Sequence, residues 1–210
     1  MEPLKLDPTT TALILIDLQH GIVGMPTSPH PASSVLEKAA SLARAFRRSI
    51  APVIYVRVDL ADRLPVQADR SHSDPHNPPP PIASELVPAC GVQSGDLVIT
   101  KRHWSAFSGT DLEVILKKSG RKTLVMGGIA TNFGVESTAR AAVGLGFGVV
   151  FVEDATSSID AQAHEFAFNA IFPMLGRVRK TSEVIAALPY PRPADSMGTA
   201  TRPSRSERGR

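Results

Sequence analysis

A single cysteine, Cys90, among 210 residues excludes an internal disulfide and suits a reducing compartment, so a cytoplasmic chain is expected. No apolar run approaches the ~18 residues needed to span a bilayer, which excludes a membrane partner. The start, Met1-Glu2-Pro3-Leu4-Lys5, lacks a basic region followed by an apolar stretch, so no signal peptide is expected. Internal repeats are missing as well. The body of the chain also lacks net charge. The overall +3 is accounted for by the segment after Pro189, where five arginines face only Asp195 and Glu207. That segment has no aromatic residue beyond Tyr190 and is rich in Pro, Ser and Arg. It reads as a disordered basic tail over 190–210, not as a nucleic-acid-binding arm.

What the chain does have is apolar residues, at 42%, enough for a sizeable core in one domain over 1–189. Apolar runs of strand length alternate with helical spacings. Strands are expected at Ala12–Ile16, Pro52–Val58, Leu97–Thr100, Thr123–Gly127, Val149–Val152 and Arg177–Lys180. Helices are expected at Ser33–Ser49, Thr110–Ser119, Asn132–Leu145, Asp160–Phe172 (stopped by Pro173) and Ser182–Leu188. Ser33 or Ser34 is the expected cap of the first helix, with Glu37 in its first turn. Ala139, Ala141 and Ala142 permit close packing of a helix on the sheet. The pattern predicts an α/β, three-layer Rossmann-like fold: a six-stranded parallel sheet flanked by helices on both faces. The Pro-rich stretch from Asp59 to Pro88 is the irregular part, expected to be a lid or binding loop that sets substrate choice.

Open parallel sheets bind ligands beyond the C-terminal ends of their strands. Asp17, Lys101 and the turn Gly128–Gly134 all fall at such ends and are expected to converge. Asp17 follows five apolar residues, so its carboxylate is poorly solvated unless paired. Lys101 is the natural partner: desolvation raises an Asp pKa and a nearby ammonium lowers it. A turn cap at Asp17 and a surface lysine at 101 are the alternatives. The turn before the helix at Asn132 presents backbone N–H groups suited to an oxyanion or a substrate carboxylate. Gln19, His103, Trp104 and Phe107 are candidate walls of a small-molecule pocket; His103 as a loop cap, and Trp104 and Phe107 as packing residues, are the plainer alternatives.

Three segments carry a family resemblance. The stretch from Gly128 to Arg140, reading Gly-Ile-Ala-Thr-Asn-Phe-Gly-Val-Glu-Ser-Thr-Ala-Arg, resembles the nucleophile turn of the isochorismatase-like hydrolases. Thr11–Gln19 resembles that family's first strand, ending in its catalytic Asp. Thr100–Leu112 resembles the segment bearing its catalytic Lys. The resemblance implies a hydrolase in which Asp17 and Lys101 are catalytic and Gly134 stands where cysteine amidases of the family have their nucleophile. It also implies anion-binding N–H groups from Ala130 and Gly134, a cis peptide at Ile129–Ala130, and a homodimer or homotetramer. Glu136, Ser137 and Arg140 match family positions on the helix, with a structural role.

Nicotinamidase relatives hold a metal with an Asp-x-His pair after the second strand. Here Asp59 is followed by Leu60 and Ala61, and His72, Asp74 and His76 sit in the Pro-rich loop. No metal and no cofactor are expected. Cys90, in Val87-Pro88-Ala89-Cys90-Gly91, is expected to be an apolar filler and not a substitute nucleophile.

Four readings of Gly134 follow. In the first, Asp17 is the general acid in hydrolysis of an activated substrate such as a vinyl ether of the isochorismate type. Lys101 then tunes Asp17 and holds the substrate carboxylate, and Gly134 leaves room for the enolpyruvyl group. In the second, Asp17 activates water for an amidase-like C–N hydrolysis. The third is a silent small-molecule-binding relative, and the fourth a cysteine amidase engineered from Cys to Gly.

Overall fold

Residues 3–69 and 77–189 are described by the structure, a computed structural model. The basic tail and the His72–His76 group lie outside the described residues.

The sheet has six parallel strands in the order β3-β2-β1-β4-β5-β6. These are β1 (Thr11–Ile16), β2 (Val53–Val58), β3 (Leu97–Lys101), β4 (Thr123–Ile129), β5 (Gly148–Ser157) and β6 (Arg177–Arg179). Alternation along β1 explains the three layers. Leu13 and Leu15 point to one face and pack with Val35, Leu42 and Phe46 of α2 (Ala32–Arg48) and Val184 of α7 (Thr181–Ala187). Ala12, Ile14 and Ile16 point to the other. There they meet Leu112 and Leu116 of α3 (Leu112–Lys118) and Ala139 and Ala142 of α4 (Glu136–Gly144). Phe168 and Phe172, from the segment after α5 (Ala161–Phe166), complete that layer. A short helix, α1 (His20–Val23), follows β1 directly. Among the described residues no helix is long and apolar enough to cross a membrane.

The departures from expectation have local causes. Helix α2 starts one residue early, with Pro31 at its N-cap and no side-chain cap, so neither Ser33 nor Ser34 caps it and Glu37 is not in its first turn. Pro173 does not end a helix. A π-turn at Ala167–Ile171 resets the pairing, and Pro173 then falls in the first turn of α6 (Phe172–Leu175), where its missing N–H costs nothing. Strand β5 does not stop at Val152. Its register jumps so that four residues, Val152 to Ala155, stand opposite Gly127 alone before pairing resumes at Gly128↔Thr156. That excursion turns Glu153 and Asp154 outward: Asp154 accepts from the Thr181 N–H at 2.7 Å, fixing α7, and Glu153 meets His30.

The described part of the Pro-rich stretch is more ordered than a lid. A short 3-10 turn at Pro81–Ser84 docks beside α1, and another at Pro88–Cys90 docks against α2. The Gln19 side-chain amide ties the first of these to β2, donating to Val58 O at 2.9 Å and Ala83 O at 3.1 Å and accepting from the Val58 N–H at 2.8 Å. Gln19 is fully buried, so its polar groups are consumed by backbone. Gln19→Leu leaves those groups unpaired and is expected to destabilise by about 1–3 kcal/mol. Urea unfolding checks the loss, and a KM change at unchanged stability would restore Gln19 as a substrate group.

Candidate active site

Strand order reverses between β1 and β4, and ligands in such sheets bind at that crevice. Asp17 leaves the end of β1 there with φ of 54°, in the left-handed region that Asp tolerates better than most residues. Its N–H donates to Val56 O at 2.8 Å, anchoring the turn to β2. Gly128, at the end of β4, has φ of 133°, and a Cβ there would lie 2.1 Å from Ile16 O. Only glycine lets the two strand ends approach this closely. The next peptide but one downstream, Ile129–Ala130, is cis, as the resemblance implied.

Lys101 is the last residue of β3, two strands away, and 1% exposed. Its Nζ donates to Asp17 Oδ2 at 2.8 Å and to Trp104 O at 2.6 Å. The second carboxylate oxygen, Oδ1, is buried without a hydrogen-bond partner among the described residues. Burial raises the Asp17 pKa, with Lys101 and then Arg63 opposing. A carboxyl held in this way has one oxygen fixed to a cation and the other free to carry a proton.

Gly134 completes the triangle. A Cβ built there would fall 2.8 Å from Asp17 Oδ2, 3.1 Å from Lys101 Nζ and 3.2 Å from Ile16 Cγ2. The acid and the cation thus sit against the bare backbone of residue 134. The turn bearing it is a π-helical segment, Thr131–Val135, in which Ala130 O accepts from the N–H groups of both Phe133 and Val135. Thr138 ties this turn to the lysine loop, donating to Gly134 O at 2.7 Å and accepting from the Ala106 N–H at 3.0 Å.

The remaining sequence candidates separate. Trp104 serves the site through its carbonyl, while its ring, half exposed, meets Phe133 edge to face at 5.2 Å. His103 lies half-buried on the same loop. Phe107 stacks on Phe147 at 6.0 Å and packs, partly buried, against the α3/α4 core. Glu136 and Arg140 pair along α4 at 2.9 Å. Cys90 is fully buried among the residues packed against α2, and burial pushes its thiol pKa up, which leaves it no thiolate character. Arg63 is the group that sequence reasoning missed. Half-buried, it is close enough to Asp17 for each to act on the other's titration, and it makes no hydrogen bond or ion pair among the described residues. Desolvation lowers its pKa and Asp17 opposes that. A lone arginine in a Pro-rich loop carries no periodic or spacing signal that sequence could have used.

The comparisons with known proteins give the family and the scaffold. The isochorismatase domain model matches residues 11–183. The chain is similar to YecD of Escherichia coli O157:H7, an uncharacterised isochorismatase family protein, with 43% identity over 88% of this chain and 100% of that protein. It is similar to YwoC of Bacillus subtilis (strain 168), likewise an uncharacterised member, with 42% identity over 88% of this chain and 97% of that protein. Among solved structures, an isochorismatase family protein from Burkholderia thailandensis superposes with a TM-score of 0.82 at 46% identity, covering 89% of this chain and 99% of that one. The acid and lysine at the sheet's switch point thus stand on a known scaffold, and the chain belongs to the isochorismatase-like hydrolase family.

Proposed function

We propose that this chain hydrolyses an activated small substrate, of the vinyl ether type found in isochorismate, with Asp17 as general acid and no covalent intermediate. The observation that carries the reading is the contact set at Gly134: the space a nucleophilic side chain would enter is held by the Asp17–Lys101 pair. The glycine therefore does not leave room for an enolpyruvyl group, as its size alone suggested. It lets the acid–cation pair sit against the turn.

In this mechanism Asp17 Oδ1 gives its proton to the terminal carbon of the enol ether, and the ether carbon becomes an oxocarbenium ion. Water adds to that carbon. One proton of that water returns to Asp17, leaving a hemiketal, whose C–O bond to the alcohol then breaks as its hydroxyl proton passes to the departing oxygen, giving pyruvate and the free alcohol. Lys101 stabilises the carboxylate that Asp17 becomes on giving up its proton. The substrate carboxylate falls to Arg63, since two of the three Lys101 donor positions are taken by Asp17 and Trp104 O. The N–H groups of Ala130 and Gly134 supply further anion contacts. Cytoplasmic location and self-association fit the reading but do not bear on the chemistry.

Pyruvate release from isochorismate, followed by a coupled lactate dehydrogenase assay, tests the reading; its absence with protein shown to be folded sinks it. A second reading, C–N hydrolysis, is tested by assaying the parent protein on amide substrates, and Gly134→Cys tests the contact set on which the first reading rests. The new side chain meets a buried carboxylate oxygen at 2.8 Å. It is therefore expected to cost about 1–3 kcal/mol of stability, an overpacking penalty, and to lower vinyl-ether turnover by displacing Asp17. Differential scanning calorimetry with the same pyruvate assay measures both. Amidase activity in the parent protein would favour the second reading instead.

A further inference from the structure

A second polar cluster lies outside the acid–lysine site. His30 comes from the loop before α2, Glu153 from the β5 excursion, and His164 from α5. One ligand atom from each lies within 4.8 Å of the others. His30 Nε2 is 2.9 Å from Glu153 Oε1, and His164 Nε2 is 3.7 Å from the same oxygen. We propose that His30 Nε2, a Glu153 carboxylate oxygen and His164 Nε2 bind one zinc ion.

The geometry fits that ion. Tetrahedral zinc with ligand bonds of about 2.0–2.1 Å holds its ligand atoms about 3.3 Å apart. The two separations from Glu153 Oε1, 2.9 and 3.7 Å, bracket this value, and the two imidazole nitrogens lie within 4.8 Å of each other, so rotamer shifts bring the three to the tetrahedral spacing. Two imidazoles and one carboxylate favour zinc over magnesium or calcium, which take oxygen ligands.

An independent observation points at a ligand. His164 is 2% exposed, and its Nε2 has no hydrogen-bond partner among the described residues although it faces the cluster. Its other nitrogen, Nδ1, is 2.7 Å from Thr131 Oγ1, the outer-shell contact that holds a ligating imidazole in place. His30 is anchored through its backbone, its O accepting from Ser157 Oγ at 2.7 Å. The His30 and Glu153 side chains are 26% and 21% exposed, leaving an entry path and a fourth position for water.

One group works against the ion. The Lys180 ammonium contacts Glu153 Oε2, and its side chain is half exposed and able to swing away. The bound zinc would clamp the α2 loop, β5 and α5 together behind Thr131, the residue that follows Ala130 in the active-site turn. The three proposed ligands are not the positions from which the metal-free expectation was drawn, and the proposed site reverses that expectation.

The test is calorimetric titration of the EDTA-treated full chain with zinc chloride, alongside thermal unfolding. One zinc per chain is expected, with a rise in Tm as zinc is added. His30→Ala and Glu153→Gln should each weaken binding at least about tenfold. Both residues are partly exposed, so these variants stay informative if His164→Ala fails to fold. Lys180→Ala should tighten binding, and the double variant His72→Ala/His76→Ala should leave it unchanged. Absence of one-to-one binding overturns the site. So does binding that survives both His30→Ala and Glu153→Gln, or that disappears with the His72/His76 pair.

Discussion

Asp17→Asn is expected to abolish vinyl-ether turnover, by about 10²–10⁴-fold in kcat, while leaving the fold intact. Asparagine is isosteric, keeps an oxygen for Lys101, and cannot give up a proton. The pH profile makes the prediction sharper. Burial raises the Asp17 pKa above the ordinary carboxylate value of about 3.9. The acid is protonated below the raised value and loses its proton above it. Activity should therefore be carried on a plateau at the acidic side and fall about tenfold per pH unit above the folded-state pKa. Stability has the same sign. In the window from about 3.9 up to the raised value, the folded chain binds more protons than the unfolded one, so this group's contribution declines as pH rises. Asp17→Asn should flatten that slope. Stopped-flow pyruvate assays from pH 4 to 9, paired with urea titrations, measure both effects. A wild-type profile that rises with pH through this range would show that the carboxylate works as a base and would remove the general-acid role.

Much of this site was legible in the chain. A carboxylate after a fully buried strand, a lysine at another strand end and a glycine-bounded turn all belong to positions that an open parallel sheet gathers together. The strand ends were less legible, because apolar runs mark burial and not pairing. Val149–Val152 is the apolar part of β5, but the strand resumes after Glu153 and Asp154, whose carboxylates are used outside the sheet. Gln19 has the composition of a pocket residue, and only the approach of Val58 and Ala83 shows that its amide is already committed. Trp104 suggested a ring and supplies a carbonyl. Arg63 and the His30–Glu153–His164 group come from loops and distant elements. No periodicity connects them, so their proximity is a product of tertiary folding alone.

Lys101→Met should be the most damaging single change to stability, at about 3–5 kcal/mol near neutral pH. Methionine matches the lysine stem but removes the hydrogen bond to Asp17 Oδ2 and the contact to Trp104 O. The carboxylate is then buried without its counter-ion, and folding drives its pKa further upward. The cost must therefore depend on pH. Below about pH 4 the carboxyl is neutral in both the folded and the unfolded chain. The variant then loses only the lysine's hydrogen bonds, and the gap to the parent protein narrows. Above the parent's raised Asp17 pKa the parent's folded carboxyl ionises against Lys101 while the variant's resists, and the gap widens by up to about 1.4 kcal/mol per unit. Adding Asp17→Asn removes the buried charge, so the double variant Asp17→Asn/Lys101→Met should be more stable at pH 8 than Lys101→Met alone. That inversion, in which a second substitution at the same site restores stability, is the signature of a coupled pair. Additive losses across the four-variant cycle at pH 8 would mean that the two side chains do not depend on each other. The acid and the cation would then have to be assigned separate roles in the site.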